Sequence, residues 1–293
     1  MRNILRKIYS GLPLKRQALH FLRRVYRPSK ALYKHLHFDG VMSVPVGNDR
    51  SFLMHHYGYE LENAVFWEGL EDGWEKTSVG LWSRLASDAS VILDVGANTG
   101  VYSLIAKAVN PEATVVAFEP VERVFSKLEH NVEINGFDVL CLPFAASNSD
   151  GEATVYDLPT EHVYSVTVNK NIHDPAVDVI PTTIRTTRID SVIEQYQLGS
   201  IDLLKIDVET HEPEVLEGLG KYLREFRPTM LIEILTDEVG RRVEAALEGC
   251  NYVYFNIDED LDAVRLVTQI TKSDCYNYLV CDRKIAVNLG LMR

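Results

Sequence analysis

A buried strand, a glycine-containing turn and a helix follow one another near the end of the first third of the chain. Residues 91–95 read VILDV, an apolar run interrupted by one acid, which is typical of a strand buried on both faces. Residues 102–109 have apolar side chains at helical spacing, and the turn between the two segments contains Gly96, Asn98 and Gly100. The pattern predicts a strand–turn–helix unit built to hold a ligand.

Strand-like and helix-like segments then alternate as far as residue 281, which predicts an α/β fold. Residues 148–189 are less regular, and we expect a strand pair or a small inserted hairpin there. The remaining predicted strands cover residues 114–118, 139–147, 201–206, 229–235, 252–257 and 276–281, and the helices cover residues 122–134, 190–199, 213–219 and 238–248.

The first 38 residues have the pattern of a basic amphipathic arm. Apolar residues recur at helical spacing, and residues 1–34 contain ten Lys or Arg and no acid. Such a segment is suited to an anionic membrane surface or to an acidic partner, but packing on its own acidic domain, or disorder, would explain the same composition. An arginine-rich, acid-poor start is also typical of an organellar transit peptide. The pattern leaves these alternatives open.

Residues 39–88 combine a predicted β-hairpin, with its turn at residues 47–50, and a segment rich in aromatic and acidic residues. Because this segment directly precedes the glycine turn, we expect it to form a lid or one wall of a substrate pocket. Most aromatic side chains in such a run belong to a core. Trp67, Trp74 and Tyr57 are nevertheless candidates for contact with a sugar ring through their aromatic faces.

Charge and cysteine content narrow the classes of function. The net charge is −12, and outside the arm 20 basic residues face 42 acidic ones, a net charge of −22, which argues against a nucleic-acid groove. The four cysteines form no CxxC pair, which fits a reducing compartment. No run approaches the roughly 18 apolar residues of a membrane span, and the start lacks the pattern of a secretory signal. We therefore expect a cytoplasmic protein, held at the inner face of a membrane if the arm binds lipid.

The spacing of the turn discriminates among nucleotide-like ligands. A dinucleotide-binding turn reads GxGxxG and sets the pyrophosphate on a helix N-terminus, whereas this turn reads DxGxNxG. Asp94 would repel a pyrophosphate but suits an ammonium group, such as the amino-acid end of S-adenosylmethionine (SAM). Glu119 ends the next strand, where an acid accepts hydrogen bonds from a ribose diol in dinucleotide folds as well. An NAD-dependent oxidoreductase therefore stays as an alternative.

Six motifs occur between residues 90 and 235: DVGANTGVYS (94–103), FEP (118–120), NVEING (131–136), TRID (187–190), KIDVETHEPEVLEG (205–218) and IEI (232–234). They have the order found in FkbM-type SAM-dependent methyltransferases, and the chain resembles that family over these residues. The resemblance implies a class I methyltransferase domain over residues 89–293, with a Rossmann-like, seven-stranded, mostly parallel sheet and helices on both faces. It also implies O-methylation of a hydroxyl group on a sugar, a glycan or a small metabolite.

The same resemblance implies which residues hold SAM. The glycine turn would hold the methionine part and the ribose side, the acid after the second strand would hold the ribose diol, and the third strand would reach the adenine edge. In this sequence the corresponding residues are Asp94, Gly96, Ala97, Asn98 and Gly100, then Glu119 and Pro120, then Ala145 and Ala146.

The segment DVETHE (207–212) follows the fourth strand of the domain, at the edge where ligands bind in open α/β sheets. Methyl transfer to a hydroxyl group needs a base. The candidates are His211, Glu209 and Asp207, of which His211 has the most suitable ordinary pKa. Asp207 and Glu233 end neighbouring strands, so a second hypothesis is that they hold Mg²⁺, which would acidify the acceptor hydroxyl.

Thr210 stands where FkbM-type sequences usually have glycine. Because a β-branched residue disfavours positive φ, we expect the loop to follow a different path, which would displace Glu209 and His211. Thr210 also keeps open a further alternative, a catalytically silent SAM-binding module.

Overall fold

The computed structural model describes residues 14–47, 49–157, 166–167 and 180–293, and for residues 157, 166 and 167 it describes the backbone alone. The helices are α1 (Lys15–Val25), α2 (Lys30–Tyr33), α3 (Glu60–Glu68), α4 (Lys76–Ala86), α5 (Val101–Val109), α6 (Glu122–Asn135), α7 (Ile189–Tyr196), α8 (Glu212–Gly218), α9 (Tyr222–Phe226), α10 (Asp237–Leu247) and α11 (Arg283–Asn288). None of the helices within these ranges is long and apolar enough to cross a membrane.

The strands form three sheets. They are β1 (Gly40–Pro45), β2 (Ser51–His56), β3 (Val91–Val95), β4 (Thr114–Phe118), β5 (Val139–Leu142), β6 (Ala145–Ala146), β7 (Gly151–Asp157), β8 (Val166–Thr167), β9 (Ile180–Thr187), β10 (Leu203–Ile206), β11 (Thr229–Glu233), β12 (Val253–Asp258), β13 (Ala263–Val267) and β14 (Asn277–Cys281). The predicted hairpin before the glycine turn is the antiparallel pair β1 and β2.

The main sheet has the strand order β13-β12-β14-β11-β10-β3-β4-β5. Strands β3, β4, β5, β10 and β11 are parallel, and β14 is antiparallel to both of its neighbours. The predicted class, an α/β fold with a mostly parallel sheet, is thereby confirmed, and β14 is the antiparallel strand among the seven from β12 to β5. An eighth strand, β13, extends the edge by pairing antiparallel with β12. Its sequence, AVRLV, is largely apolar, although its five residues are only half-buried or exposed.

Residues 139–147 form two short strands, where the apolar pattern predicts one. Pro143 follows β5 and has no N–H group for the sheet ladder, and the Phe144 N–H donates back to the Leu142 carbonyl at 2.9 Å. After this bend, β6 joins a second sheet with the order β6-β9-β7-β8. The hairpin expected within residues 148–189 is the antiparallel pair β7 and β9, although part of that segment lies outside the described residues.

Hydrophobic clusters cover both faces of the main sheet. Ile92 points into one cluster together with Leu104 of α5, and the next residue, Leu93, points into the other together with Val215 of α8. Successive strand residues face opposite sides of a sheet, so the unbroken apolar run of β3 is buried on both. Helices therefore pack on both faces, as predicted.

The segments before β3 pack into the first of these clusters. Met42 of β1, Met54 of β2 and Trp82 of α4 are buried there beside α5, and Trp82 Nε1 donates to the Tyr102 carbonyl at 2.9 Å. Leu19 fixes α1 against the same cluster. The hairpin and the helices that precede the glycine turn thus support the strand–turn–helix unit directly.

Candidate active site

The turn after β3 brings the backbone to the carboxyl edge of the main sheet. Gly96 and Ala97 both donate their N–H groups to the Phe118 carbonyl, at 3.1 and 2.9 Å. Gly96 has a φ of +80°, and a Cβ atom there would lie 1.9 Å from the carbonyl oxygen of Asp207. Only glycine permits the loops after β3 and β10 to approach this closely.

Asp94 is buried beneath this turn and is tied to the helix that follows. Its Oδ2 accepts hydrogen bonds from Ser103 N at 2.9 Å and from Ser103 Oγ at 2.6 Å. Burial raises the pKa of Asp94 to about 6, against the opposing effects of the Ser103 hydrogen bonds and of Lys205. Above that pH the carboxylate presents a fixed negative charge at the edge of the sheet.

Glu119 connects the ends of β3 and β4. Its Oε2 accepts a hydrogen bond from Asn98 N at 3.1 Å, and its Oε1 accepts one from Val121 N at 2.9 Å. Asn98 has a φ of +55°, and its own Oδ1 accepts from Thr99 N at 2.8 Å. These bonds hold the carboxylate of Glu119 in one orientation.

A cavity of about 470 Å³ lies at this edge of the sheet, and it brings together most of the residues that the sequence singles out. Lys30 and Glu60, from α2 and α3, also line it. Gly100 does not; with a φ of +93° it is the N-cap of α5. The predicted residues that line the cavity are Asp94, Gly96, Ala97, Asn98, Glu119, Pro120, Ala145, Ala146, Asp207, Glu209, His211 and Glu233.

Lys205 is a buried cation in this cavity that the sequence analysis missed. Its side chain is 2% exposed, and its Nζ lies 2.9 Å from Asp207 Oδ2 and 4.8 Å from the ring centroid of Tyr102. Burial acts to lower the pKa of Lys205, but Asp207 and Glu75 outweigh it and raise this pKa above its ordinary value. Tyr102 Oη in turn donates to Glu75 Oε2 at 2.5 Å. A signal was present, since Lys205 is the one charged residue of the strand LLKI.

Glu233 ends β11 and lines the cavity on the side of Asp207. Burial, followed by the charge of Asp207, raises the pKa of Glu233 to about 10, although Lys205 opposes the shift. At neutral pH Glu233 therefore carries a proton. Asp207, the other carboxyl group at this end of the cavity, lies 2.9 Å from the Lys205 ammonium.

The predicted Mg²⁺ site at Asp207 and Glu233 is not supported. Within residues 14–47, 49–157 and 180–293, no group of three or more His, Cys, Asp or Glu side chains is arranged to hold a metal ion. The cation that neutralises Asp207 is the ammonium group of Lys205, at hydrogen-bond distance. The sequence pattern missed this because it showed the two acids but not which way the lysine side chain points.

His211 lines the cavity next to the residue that follows β6. Its Nε2 lies 3.0 Å from Ser147 Oγ, directly after β6, and its Nδ1 lies 3.6 Å from Glu214 Oε2. Burial lowers the pKa of His211, while Glu214 opposes this shift. The imidazole is therefore neutral at physiological pH, and both of its nitrogens face protein groups.

The loop between β10 and α8 keeps a left-handed backbone in spite of Thr210. Glu209 and Thr210 have φ values of +54° and +83°. The N–H groups of Val208 and Thr210 both donate to Glu212 Oε1, at 3.4 and 3.2 Å. Thr210 thus adopts the positive φ that a β-branched residue disfavours, and Glu209 and His211 line the cavity.

The three aromatic candidates are separated by the fold. Trp74 lines the cavity and makes a T-shaped contact with Tyr102, with ring centroids 5.9 Å apart. Trp67 is buried in the hydrophobic core, and Tyr57 lines a different cavity beside α1. Of the three, Trp74 is the one positioned to touch a ligand of this site.

Comparisons with known proteins show the family of this chain. Residues 94–254, just over half of the chain, match the family described as Methyltransferase FkbM domain. Methyltransferase sdnD from Sordaria araneosa is 28% identical, over 54% of this chain and 71% of its own. The hexuronic acid methyltransferase AglP from Haloferax volcanii is 28% identical, over 51% and 58%. The 2-O-methyltransferase NoeI from Sinorhizobium fredii is 29% identical, over 46% and 60%.

The matches to AglP and NoeI span less than two thirds of those relatives. Among solved structures, methyltransferase FkbM from Methylobacillus flagellatus is 13% identical with a TM-score of 0.39, over 91% of this chain and 58% of that one, and so distant a likeness carries no argument about the site. The family match covers the glycine turn, the acid after β4 and the charged loop after β10. The chain therefore belongs to the FkbM methyltransferase family.

Proposed function

We propose that this protein transfers a methyl group from SAM to a hydroxyl group of a sugar, a glycan or a small hydroxylated metabolite. The observation that carries the proposal is the meeting, in one cavity, of the glycine turn after β3, the Glu119 carboxylate and the charged loop after β10. Membership of the FkbM family supports methyl transfer as the reaction.

The residues at the carboxyl edge of β3 and β4 fit SAM. Asp94 offers a carboxylate to the ammonium group of SAM, and Glu119 offers an oriented pair of oxygens to its ribose diol. Gly96 has no side chain that would project into the cavity. Ala145 and Ala146 of β6 have small side chains, which leave room for the flat adenine base on that side of the cavity. Bound SAM supplies an electrophilic methyl group on a sulfonium centre.

We assign the acceptor hydroxyl to the end of the cavity formed by Asp207 and Glu233. There Asp207 accepts the hydroxyl proton as the oxygen is methylated, a step in which a positioned base contributes on the order of 10²–10⁴-fold. Lys205 holds the Asp207 carboxylate in place through the 2.9 Å contact. Glu233, which carries its proton at neutral pH, offers the acceptor a hydrogen-bond donor.

His211 and Glu209 are the alternative recipients of this proton. His211 is neutral and so able to accept a proton, but its Nε2 is engaged by Ser147. That contact favours a positioning role, in which His211 links the loop after β10 to the residues after β6. Glu209 lines the cavity on the same loop.

The choice of a sugar or other polyhydroxylated acceptor has two supports. AglP is named as a hexuronic acid methyltransferase and NoeI as a 2-O-methyltransferase, and both are relatives of this chain. Trp74 adds an aromatic face to a cavity rich in carboxyl groups, and such a combination suits a ring that has apolar faces and hydroxyl groups at its edge.

Calorimetric titration with SAM and with NAD tests the cofactor. Binding of NAD without binding of SAM would overturn the proposal in favour of an oxidoreductase. Incubation of the full chain with methyl-labelled SAM and with glycan and metabolite extracts then tests the reaction. Transfer of label to an acceptor, absent in the Asp94→Ala protein, is the expected result. SAM binding with no transfer to any fraction would favour the catalytically silent binding module.

A further inference from the structure

We propose that α1 binds the surface of an anionic membrane through an outer face made of Leu14, Ala18, Phe21 and Val25. These residues recur at intervals of four, three and four, so they share one side of the helix. Leu14, Phe21 and Val25 are 71%, 67% and 68% exposed. An apolar stripe of this kind, flanked by basic residues, is what lies in a lipid interface.

The outer face is not needed to hold α1 on the protein. The opposite side of the helix does this through Leu19, which is buried, and Leu22, which packs against the same hydrophobic cluster. Arg23 adds a cation–π contact, with its guanidinium carbon 5.2 Å from the ring centroid of Phe66. The helix therefore has two apolar sides, and among the residues that the structure describes only one of these sides is covered.

Charge complementarity identifies the occupant of the outer face. No acidic residue occurs between residues 14 and 38, and the basic residues there are Lys15, Arg16, Arg23, Arg24, Arg27, Lys30 and Lys34. Lys and Arg side chains close to an anionic leaflet are attracted to it. Outside residues 1–34 the chain has a net charge of −22, so an anionic surface attracts the arm and repels the body. The arm therefore sets the orientation of the bound protein.

A second group of exposed residues continues this surface beyond the helix. Tyr26 and Leu32 are half exposed, beside Arg27 and Lys34, and Lys30 of α2 lines the candidate active-site cavity. The basic apolar segment thus extends from the outer face of α1 to the rim of that cavity. The inference concerns binding alone and does not depend on the reaction proposed above.

Sedimentation with lipid vesicles tests the proposal on the full chain. The probes are vesicles of phosphatidylcholine alone and vesicles containing 30% phosphatidylserine (about the content that gives a strongly anionic surface). We expect the unaltered protein to sediment with the anionic vesicles. The double variants Phe21→Glu/Val25→Glu and Arg24→Glu/Arg27→Glu should each bind these vesicles with at least tenfold lower affinity.

Leu261→Glu is the matched control, because Leu261 is 68% exposed in the turn between β12 and β13, outside the arm. It should bind the anionic vesicles as the unaltered protein does. Calorimetric SAM affinity and the unfolding temperature of each variant show that it is folded. Equal binding by the folded Phe21→Glu/Val25→Glu protein would overturn the proposal. Equal binding to neutral vesicles, or a loss of binding in Leu261→Glu, would also overturn it. Binding of the unaltered protein to an acidic protein but not to anionic vesicles would overturn it in favour of a protein partner.

Discussion

The carbonyl oxygen of Asp207 lies where a side chain on Gly96 would begin, 1.9 Å from the position of a Cβ atom. This contact joins the turn after β3, which carries the residues for SAM, to the loop after β10, which carries the candidate bases. The contact between Gly96 and the Asp207 carbonyl thus sets the distance between the loop proposed to hold SAM and the loop that carries the candidate bases. A methyl group added at Gly96 would push these two loops apart.

Gly96→Ala should therefore destabilise the protein and abolish SAM binding. The new Cβ atom meets backbone, which cannot move aside cheaply, and alanine at a φ of +80° adds strain, so we expect a loss of at least about 3 kcal/mol in the free energy of unfolding. Gly136→Ala is the control, because Gly136 also has positive φ but nothing lies within 4 Å of its Cβ position. It should cost only about 1 kcal/mol. Urea unfolding measures both, and equal losses would refute the steric argument.

Asp94→Asn and Glu119→Gln should each weaken SAM binding about tenfold or more, because each removes a charge-assisted hydrogen-bond acceptor of the proposed site. Titration calorimetry at pH 8 measures the affinities, with Glu112→Gln, an exposed acid outside the cavity, as the control. Unchanged affinity in both variants would refute the assignment.

The pH dependence of SAM binding should report the carboxyl group of Asp94. Its pKa of about 6 means that it is ionised above pH 6 and protonated below, and only the ionised form attracts an ammonium group. We expect SAM affinity to fall as the pH drops from 7.5 to 5, and Asp94→Asn to remove most of this fall. An identical pH profile for the variant would show that another group is responsible.

The identity of the base should follow from three variants assayed with labelled SAM and an acceptor found in the screen. Asp207→Asn should lower kcat by on the order of 10²–10⁴-fold, with SAM affinity changed little. His211→Gln should lower activity only severalfold, since we assign it to positioning through Ser147. Glu209→Gln should likewise retain most activity. A loss of 10²-fold or more in His211→Gln, together with loss of an acidic limb of the pH–rate profile, would make His211 the base instead.

Thr210→Gly should stabilise the protein. Thr210 has a φ of +83°, a conformation that costs a β-branched residue about 1–2 kcal/mol. Glycine removes this cost, but its greater conformational freedom in the unfolded chain cancels about half of the resulting stabilisation. We expect a rise in the unfolding temperature of roughly 2–4 °C, the equivalent of about 1 kcal/mol in a domain of this size. Thr210→Val keeps the branched shape and should show no gain. A lower unfolding temperature for Thr210→Gly would mean that the threonine side chain contributes an interaction of its own.

His56 should make the folded state less stable in acid. It is fully buried; its Nδ1 accepts from Gly58 N at 3.0 Å and its Nε2 lies 3.3 Å from Asn63 Oδ1, so the ring is held neutral. Burial lowers the pKa of His56 to about 3, below its ordinary value of 6.5. Because the unfolded chain binds the proton more tightly, this stabilisation is complete above pH 6.5 and is lost as the pH falls from 6.5 towards 3.

Between pH 7.5 and pH 5 the His56 effect amounts to about 2 kcal/mol. Urea unfolding at the two pH values measures it. His56→Gln should be less stable at pH 7.5 and should lose less on acidification, while His35→Gln, a change at an exposed position, should behave as the unaltered protein does. The same acid dependence in His56→Gln would assign the effect to other groups.

Much of the fold and part of the site could be predicted because the signals are local. The apolar run of β3 and the glycine turn predict a strand and a ligand-binding loop from ten consecutive residues, and period-2 and period-3.6 patterns need no knowledge of the partner strand. Asp94, Gly96 and Glu119 were found in this way. The sequence analysis does not predict the edge strand β13, although its sequence AVRLV is largely apolar; the pairing with β12 is what identifies it as a strand of the sheet.

Packing of the folded chain, and no local pattern, brings together the side chains that share the cavity but lie far apart in the sequence. The side chain of Lys205 is buried near Glu75 and Asp207. The Lys205 ammonium group is therefore the partner of Asp207, where the local pattern of acids suggested Mg²⁺. Trp74 reaches the site while Trp67 does not, although both belong to one aromatic segment. Hydrophobic periodicity indicates on which face of a helix or strand a residue lies. The groups that meet it across the sheet depend on packing, and only the folded chain determines that.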